Sequence, residues 1–190
     1  MARDASSSSS RGFSLIEVIV SLGLLSVVAL SVAQLFAVST RANFVAKGRS
    51  SSTALAEQKM EQIRSLTWGF DSEGLGLPVS DTTTNLAVFP PAQNGTGLNP
   101  SPSNALDANV PGFFEYLDEN GGWVAAAGEA AYVRRWAIRP LPTNPNNTLI
   151  IQVLVSPQAD ERAREAVAAG ARRRIIGDAL ITSVKTRKAR

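Results

Sequence analysis

The chain has 190 residues with a formal net charge of +3, and it contains neither His nor Cys. The absence of these two residue types removes the commonest general base, the commonest metal ligands, thiol nucleophiles and disulfides. We therefore expect a protein that is not an enzyme and that has no catalytic residues, no metal site and no cofactor. Its length allows one membrane segment plus a soluble domain of moderate size.

The first segment, residues 1–12, is polar and rich in Ser, with Arg3 and Arg11 among them. Such a composition offers too few apolar groups to pack against a core. We therefore predict a disordered leader.

The most informative stretch is RGFSLIE, residues 11–17, which directly precedes an apolar segment. This stretch resembles the type IV prepilin family, whose leader ends in a basic residue and Gly and whose mature helix opens Phe-Ser-Leu-Ile-Glu. The resemblance implies cleavage after Gly12 by a prepilin peptidase, N-methylation of Phe13, and Glu17 as the fifth residue of the mature chain. Beyond the N-terminal helix the resemblance is one of general architecture.

Glu17 is a carboxylate at the edge of an apolar span, a position that needs compensation. A charge costs about 2.5–3.5 kcal/mol at the centre of a membrane helix and less near the interface. Cleavage before Phe13 would create an ammonium four residues before Glu17, and the same group of a neighbouring helix could also pair with the carboxylate. In a filament, that pair would set the axial register. The alternative is a capping box, in which Ser14 and Glu17 satisfy backbone donors at the helix start.

The segment from Val18 to Thr40 contains 23 consecutive uncharged residues. As a helix it would reach about 34 Å, enough for a hydrocarbon core of about 30 Å. We assign residues 13–40 to a transmembrane and assembly helix. Small residues recur in it every four positions, which would permit close helix approach, although Ala is common in any membrane helix; these residues are Ala29, Ala33 and Ala37.

Two other interpretations of the apolar segment stay open at the level of sequence. One is a secretory signal peptide cleaved after Ala33, and the other is a plain signal anchor. Glu17 at the start of the segment and a helical pattern that continues past Ala33 disfavour cleavage there. Basic residues flank both ends of the span and do not decide its orientation, so only the resemblance places the N-terminus in the cytoplasm.

Residues 41–68 predict an amphipathic continuation of the same helix, because no Pro interrupts the run. The predicted apolar stripe consists of Val45, Ala56, Met60, Ile63 and Thr67. We expect the helix to end near Leu66, shortly before Gly69. Residues 69–112 contain many Pro, Gly, Asn and Thr, a composition that predicts a long surface loop with little regular structure.

Residues 113–190 predict an antiparallel sheet domain. Strands are expected at 113–117, 123–126, 131–141, 148–156 and 174–186, the first two as a hairpin, with a short solvated helix at 159–173. The fold class is therefore α+β: a long N-terminal helix whose second half packs on an antiparallel sheet of about four strands. The predicted core residues are Met60, Trp123, Trp136, Ile138, Ile151, Val153 and Ile181.

Basic residues gather in the C-terminal third and raise the question of nucleic-acid binding. Acidic residues are interspersed with them and no recognised binding module is present, so we consider nucleic acid an unlikely partner. The basic residues are Arg134, Arg135, Arg139, Arg172, Arg173, Arg174, Lys185, Arg187, Lys188 and Arg190.

The sequence favours a minor pilin-like structural subunit of a type IV pilus. The helix end at 53–68 and the strand at 132–136 look like minor pilins of the pilus modification type. The resemblance implies a single-pass inner-membrane precursor that later enters an extracytoplasmic filament, with a prepilin peptidase, other pilin subunits and the assembly machinery as partners. The alternatives are a type II secretion pseudopilin and a membrane-anchored binding protein that never polymerises. Many pilins hold their C-terminal region with a disulfide, which this chain cannot form.

Overall fold

The computed structural model describes residues 12–71, 73, 75–165 and 177–187. The chain divides into two compact units, Met1–Phe44 and Val45–Arg190. Of the predicted leader only Gly12 lies within the described residues. The elements in chain order are α1 (Leu15–Ser65), β1 (Trp68–Phe70), β2 (Pro78–Ser80), β3 (Phe114–Leu117), β4 (Trp123–Val124), β5 (Tyr132–Pro140), β6 (Thr148–Pro157), α2 (Gln158–Glu165) and β7 (Ala179–Thr186).

The first unit contains the apolar part of α1. This helix is long and apolar enough to cross a membrane, and its most apolar 18-residue window is entirely exposed within the chain. Because no Pro occurs along α1, its backbone hydrogen bonding is not interrupted by a residue that lacks an amide hydrogen. The surface of this part is therefore suited to lipid or to other apolar helices.

The second unit is built on a five-stranded antiparallel sheet with the order β4-β3-β5-β6-β7. The α+β class and the packing of the helix on an antiparallel sheet are confirmed. All five strands predicted at named ranges are present in this sheet, one more than the total of about four. The shortest is β4, the second strand of the predicted hairpin, which pairs with β3 through only two residues. A separate two-stranded sheet joins β1 and β2.

The C-terminal part of α1 buries one stripe against the sheet, comprising Ser52, Ala56, Lys59, Met60 and Ile63. The predicted stripe was right at Ala56, Met60 and Ile63. It was wrong at Val45 and Thr67, which are exposed: Val45 precedes the buried residues of α1, and Thr67 lies beyond the last helical residue, Ser65. The helix ends at Ser65 and the chain enters β1 at Trp68, where pairing with Ser80 replaces helical bonding.

The segment 69–112 has little regular structure, as predicted, but it is not confined to the surface. It contains β2 and most of β1, and it contributes Leu86, Leu98 and Ala105 to the hydrophobic core. Ser101 donates its amide to the carbonyl of Ile138 at 2.9 Å, so this segment covers part of β5 that β3 does not reach. Its backbone is satisfied by specific turns and bridges, which composition alone does not reveal.

Most of the predicted core residues are confirmed. Trp136, Ile138, Ile151, Val153 and Met60 are buried, and Ile181 packs against the same cluster while partly buried. Trp123 was wrong: its side chain is 38% exposed, and its indole donates to the carbonyl of Ala87 at 2.9 Å. The strand β4 that carries it lies at the edge of the sheet, where burial is incomplete.

The C-terminal helix and strand are both present but begin or end at different residues. Helix α2 covers Gln158–Glu165, and the remainder of the predicted helix, 166–173, lies outside the described residues. Strand β7 begins at Ala179, and residues 174–176 of the predicted strand also lie outside the described part of the chain. Helix α2 contacts β5 and β6.

Candidate functional site

The start of α1 is shaped by Ser14. Its carbonyl accepts the amides of Glu17 at 3.0 Å and Val18 at 3.2 Å, which closes the first helical turn. Within the described residues, no hydrogen bond from the Ser14 hydroxyl or to the Glu17 carboxylate completes the capping box considered above. The carboxylate is exposed and therefore open to a group from outside the chain.

The predicted site residues lie together at this helix start. Gly12, Phe13 and Glu17 are all exposed, and the Phe13 side chain is 82% exposed. Gly12 and Phe13 precede the first helical residue, Leu15, so the peptide bond between them lies in non-helical backbone. A peptide bond outside regular structure is the kind that a peptidase can bind in extended form.

Glu17 is the only ionisable side chain from Gly12 to Thr40. It occupies the first turn of α1, where the positive end of the helix dipole favours a negative group. Every other large side chain of the next turns is apolar and exposed. A cation placed near the Glu17 carboxylate among apolar helices could therefore pair with this one negative charge. Residues 12–40 contain no second cation that would compete for it.

A second cluster of charges lies buried between α1 and the sheet. One oxygen of Glu115, on β3, accepts from Lys59 Nζ on α1 at 2.8 Å and from Arg134 Nε on β5 at 2.6 Å. Glu115 and Arg134 are direct partners in the β3–β5 register, so their side chains share one face of the sheet. Arg134 also donates to the carbonyl of Leu55 on the helix at 2.6 Å.

Lys59 has the most perturbed environment in this cluster. Its ammonium donates to the carbonyl of Leu86 at 2.6 Å and to Gln62 at 2.8 Å, and it lies 4.5 Å from the centroid of the Trp136 ring. Burial lowers the pKa of Lys59 from 10.5 to about 8, Glu115 opposes this shift, and Arg134 adds to it. Two cations share one carboxylate, so one uncompensated positive charge remains in a buried place.

The buried arginines bear on the nucleic-acid hypothesis. Arg134 and Arg135 have only 5% and 1% of their surface exposed, and Arg135 pairs with Glu161 of α2 at 3.1 Å. These two cations therefore face the interior and cannot contribute to a surface for a polyanion. Arg172, Arg173, Arg174, Lys188 and Arg190 lie outside the described residues.

No metal-binding group is found in the part of the chain that the structure describes: no three acidic side chains lie close enough together to hold an ion. The sequence also lacks His and Cys.

Sequence reasoning missed the cluster of Lys59, Glu115 and Arg134, because its members lie far apart along the chain. One signal was available. The predicted hairpin strand 113–117 carries a single Glu in an aromatic context, and a buried acid on a core strand requires a cationic partner. The identity of that partner depends on strand register, which the sequence alone left open.

A family model described as the prokaryotic N-terminal methylation motif matches residues 7–33. Neither a curated protein nor a solved structure matches the chain. The match includes Gly12, Phe13 and Glu17 and the first half of the apolar helix. This is the prepilin-type motif, and in this chain it includes the start of the long helix, which is followed by the antiparallel sheet described above. The motif at residues 7–33 therefore supports a type IV pilin-like family for this chain.

Proposed function

We propose that the protein is a minor pilin-like structural subunit of a type IV pilus. The observation that supports this most is the position of Glu17, alone in charge and exposed in the first turn of an apolar helix that carries the methylation motif. On this proposal the chain is not an enzyme. The only covalent reactions in this proposal are cleavage and N-methylation of its N-terminus, which other proteins catalyse.

The proposed maturation begins with cleavage after Gly12 by a prepilin peptidase. Hydrolysis of the peptide bond leaves a carboxylate on Gly12 and an amine on Phe13, which is then N-methylated. Before cleavage the nitrogen of Phe13 is an uncharged amide, so the cation that Glu17 requires does not yet exist. Cleavage therefore creates the charge complementarity on which assembly depends.

The proposed assembly step places this ammonium among apolar helices of the filament. An unpaired charge there costs several kcal/mol, and a facing carboxylate offsets that cost. Glu17 of a neighbouring subunit, or of the same subunit, supplies it. Because the partner must lie at one height along the filament, the pair also selects the axial register of the entering subunit.

The proposed location changes with maturation. The precursor is a single-pass protein of the inner membrane, held by residues 13–40, and the mature subunit enters an extracytoplasmic filament. A type II secretion pseudopilin would use the same N-terminal chemistry, so the distinction rests on which filament takes up the subunit. The minor pilin assignment rests on the sequence of the helix end and of β5. A membrane-anchored protein that never polymerises is the alternative from another class.

The proposal is tested by comparing filament and membrane fractions of Glu17 variants. We expect Glu17→Ala to insert and to be processed, because insertion depends on the apolar residues, but to enter sheared pili on the order of tenfold less than wild type. Glu57→Ala is the matched control, since it removes an exposed carboxylate of α1 far from the helix start.

Ser14→Ala separates assembly from helix capping. If capping is the role of this turn, Ser14→Ala and Glu17→Ala should weaken the helix start by a similar amount, about 0.5–2 kcal/mol, and leave incorporation largely intact. If Glu17→Ala is found in sheared pili at the same proportion as the wild-type protein, the ammonium–carboxylate mechanism is refuted. Absence of the wild-type protein from sheared pili, with retention in a secretion complex, would favour the pseudopilin.

A further inference from the structure

Arg187, just after β7, binds three separate parts of the chain. Its guanidinium donates to the carbonyls of Gly69 at 2.9 Å and Val79 at 3.0 Å, one on each strand of the β1–β2 hairpin. Its Nε donates to the carbonyl of Asn146 at 2.8 Å. The guanidinium carbon also lies 3.6 Å from the centroid of the Trp68 ring, a stacked geometry that favours Arg over Lys.

Lys185, near the end of β7, binds the end of α1. Its ammonium donates to the carbonyl of Arg64 and, at 2.7 Å, to the carbonyl of Leu66. The last carbonyls of a helix have no partners within the helix and carry the negative end of its dipole. A cation from β7 therefore performs the capping that a Gly or a local side chain performs in many helices.

These two cations have carbonyl oxygens and an aromatic face as their partners, and no salt bridge to either occurs among the described residues. Burial lowers the pKa of both Lys185 and Arg187. Hydrogen bonds from a charged donor are stronger than neutral ones, and here they add to the packing of Leu66 and Trp68 against the hydrophobic core. Trp68 adds a further link, since its indole donates to the carbonyl of Asn147 at 3.2 Å.

We propose that Lys185 and Arg187 form a C-terminal latch, which couples the end of α1 and the β1–β2 hairpin to the sheet so that the two open together. The C-terminal latch holds the end of α1 and the β1–β2 hairpin through hydrogen bonds to backbone carbonyls, without a disulfide. The hairpin that it fastens exposes Leu75, Leu77 and Val79, so the latch also fixes the position of this apolar surface.

The test is hydrogen exchange, read by mass spectrometry, on the full-length protein in detergent. Arg187→Gln removes the stacked guanidinium and its carbonyl contacts. We expect amides of the hairpin and its flanks, such as Asp71 and Asp81, to exchange on the order of tenfold faster, while amides of β5 and β6 keep their rates. Arg187→Lys should recover only part of the protection, because an ammonium cannot reproduce the planar fork.

The coupling is tested with Lys185→Met, which acts directly only on the helix end. If the latch is one unit, this variant also accelerates exchange in the hairpin, and Arg187→Gln also accelerates it at Ser65 and Leu66. Arg139→Gln is the control, because Arg139 donates to a single carbonyl of another segment, that of Ser103 at 2.9 Å, and should leave residues 64–80 unchanged.

Three results would overturn the latch. Unchanged hairpin exchange in Arg187→Gln would show that the contacts hold nothing. Equal acceleration across β5 and β6 would show a loss of global stability instead of local opening. Effects confined to the helix end for Lys185→Met and to the hairpin for Arg187→Gln would show two independent contacts without coupling.

Discussion

Glu115 joins the helix and the sheet through one carboxylate oxygen, which accepts from both Lys59 and Arg134. All three side chains are nearly inaccessible, so each would be costly if its partners were removed. Replacing a whole buried ion cluster with apolar residues is often neutral, whereas removing one member leaves an uncompensated charge. We therefore expect the cluster to contribute little net stability and to fix the register in which α1 packs on the sheet.

Glu115→Gln should destabilise the folded unit strongly, because it leaves two cations facing each other without an anion. We expect a loss of about 3–5 kcal/mol in the free energy of unfolding, measured by urea unfolding of the full chain in non-ionic detergent with Trp fluorescence. The control is Glu61→Gln, which breaks an exposed pair with Arg64 and should cost less than about 1 kcal/mol. Equal effects of the two variants would contradict this account of the cluster.

Lys59 should make stability depend on pH in an alkaline window. Its pKa is lowered to about 8 in the folded state and returns towards 10.5 on unfolding. Between these values the unfolded chain binds more protons, so stability rises with pH, whereas below the folded pKa both states are protonated and the penalty is fully present. The rise should be on the order of 2–4 kcal/mol from below pH 8 to above pH 10.

The measurement for Lys59 is the difference in unfolding free energy between wild type and Lys59→Met across pH 7–10.5. Other titrating groups are common to both proteins, so the difference isolates Lys59. We expect wild type to gain stability relative to the variant as the pH rises. A difference that stays constant with pH would mean that the ammonium is not perturbed in the folded state.

At the scale of elements, the strands could be predicted from the sequence and the segment 69–112 could not. The strands 132–140 and 148–157 are rich in β-branched and aromatic residues and end at turn residues, a pattern that is typical of β-strands. The segment between the helix and β3 has no periodicity, and its order depends on contacts such as Ser101 with Ile138 that are distant in sequence.

Leu98 should therefore behave as a core residue, although it lies in irregular structure. Its side chain is 2% exposed, and Leu98→Ala should cost about 2–5 kcal/mol by removing packed methyl groups and leaving a cavity. Leu75→Ala in the same segment is the control, since Leu75 is 69% exposed and should change the unfolding free energy by less than about 0.5 kcal/mol. Similar values for both would mean that the segment behaves as a surface loop.

The helix shows the limit of amphipathic patterns. Ala56, Met60 and Ile63 follow the expected stripe, and the hydrophobic pattern located them. The same stripe includes Lys59 and Ser52, which no pattern of apolar residues could have placed there. The buried ammonium of Lys59 contacts the Glu115 carboxylate and the carbonyl of Leu86. The position of Glu115 depends on the folded sheet, and that of Leu86 depends on the folded segment 69–112.

At the scale of the molecule, the two units can be predicted with different success. The candidate site at the helix start is contiguous in sequence, so Gly12, Phe13 and Glu17 could be proposed directly from it, and a family model matches the same stretch. The buried cluster and the C-terminal latch join residues that are distant in sequence, so they emerge only with the fold. The first unit should insert into a membrane because its helix is apolar, and the second unit should fold because it has its own hydrophobic core.

The proposed maturation as a prepilin fixes the first residue of the mature chain, so the mass of the N-terminal peptide tests it. On the proposed maturation, the peptidase must admit the residue before the cleaved bond, which accounts for a Gly at position 12. A Cβ added at Gly12 would meet no atom of the described residues within 4 Å, so Gly12→Val should not disturb the fold. Gly23→Val is the control, since the same holds at Gly23. We predict that wild type and Gly23→Val begin at a methylated Phe13, while Gly12→Val keeps residues 1–12. A wild-type protein that retains its leader, or that begins at Gln34 after cleavage at Ala33, would refute the proposed maturation.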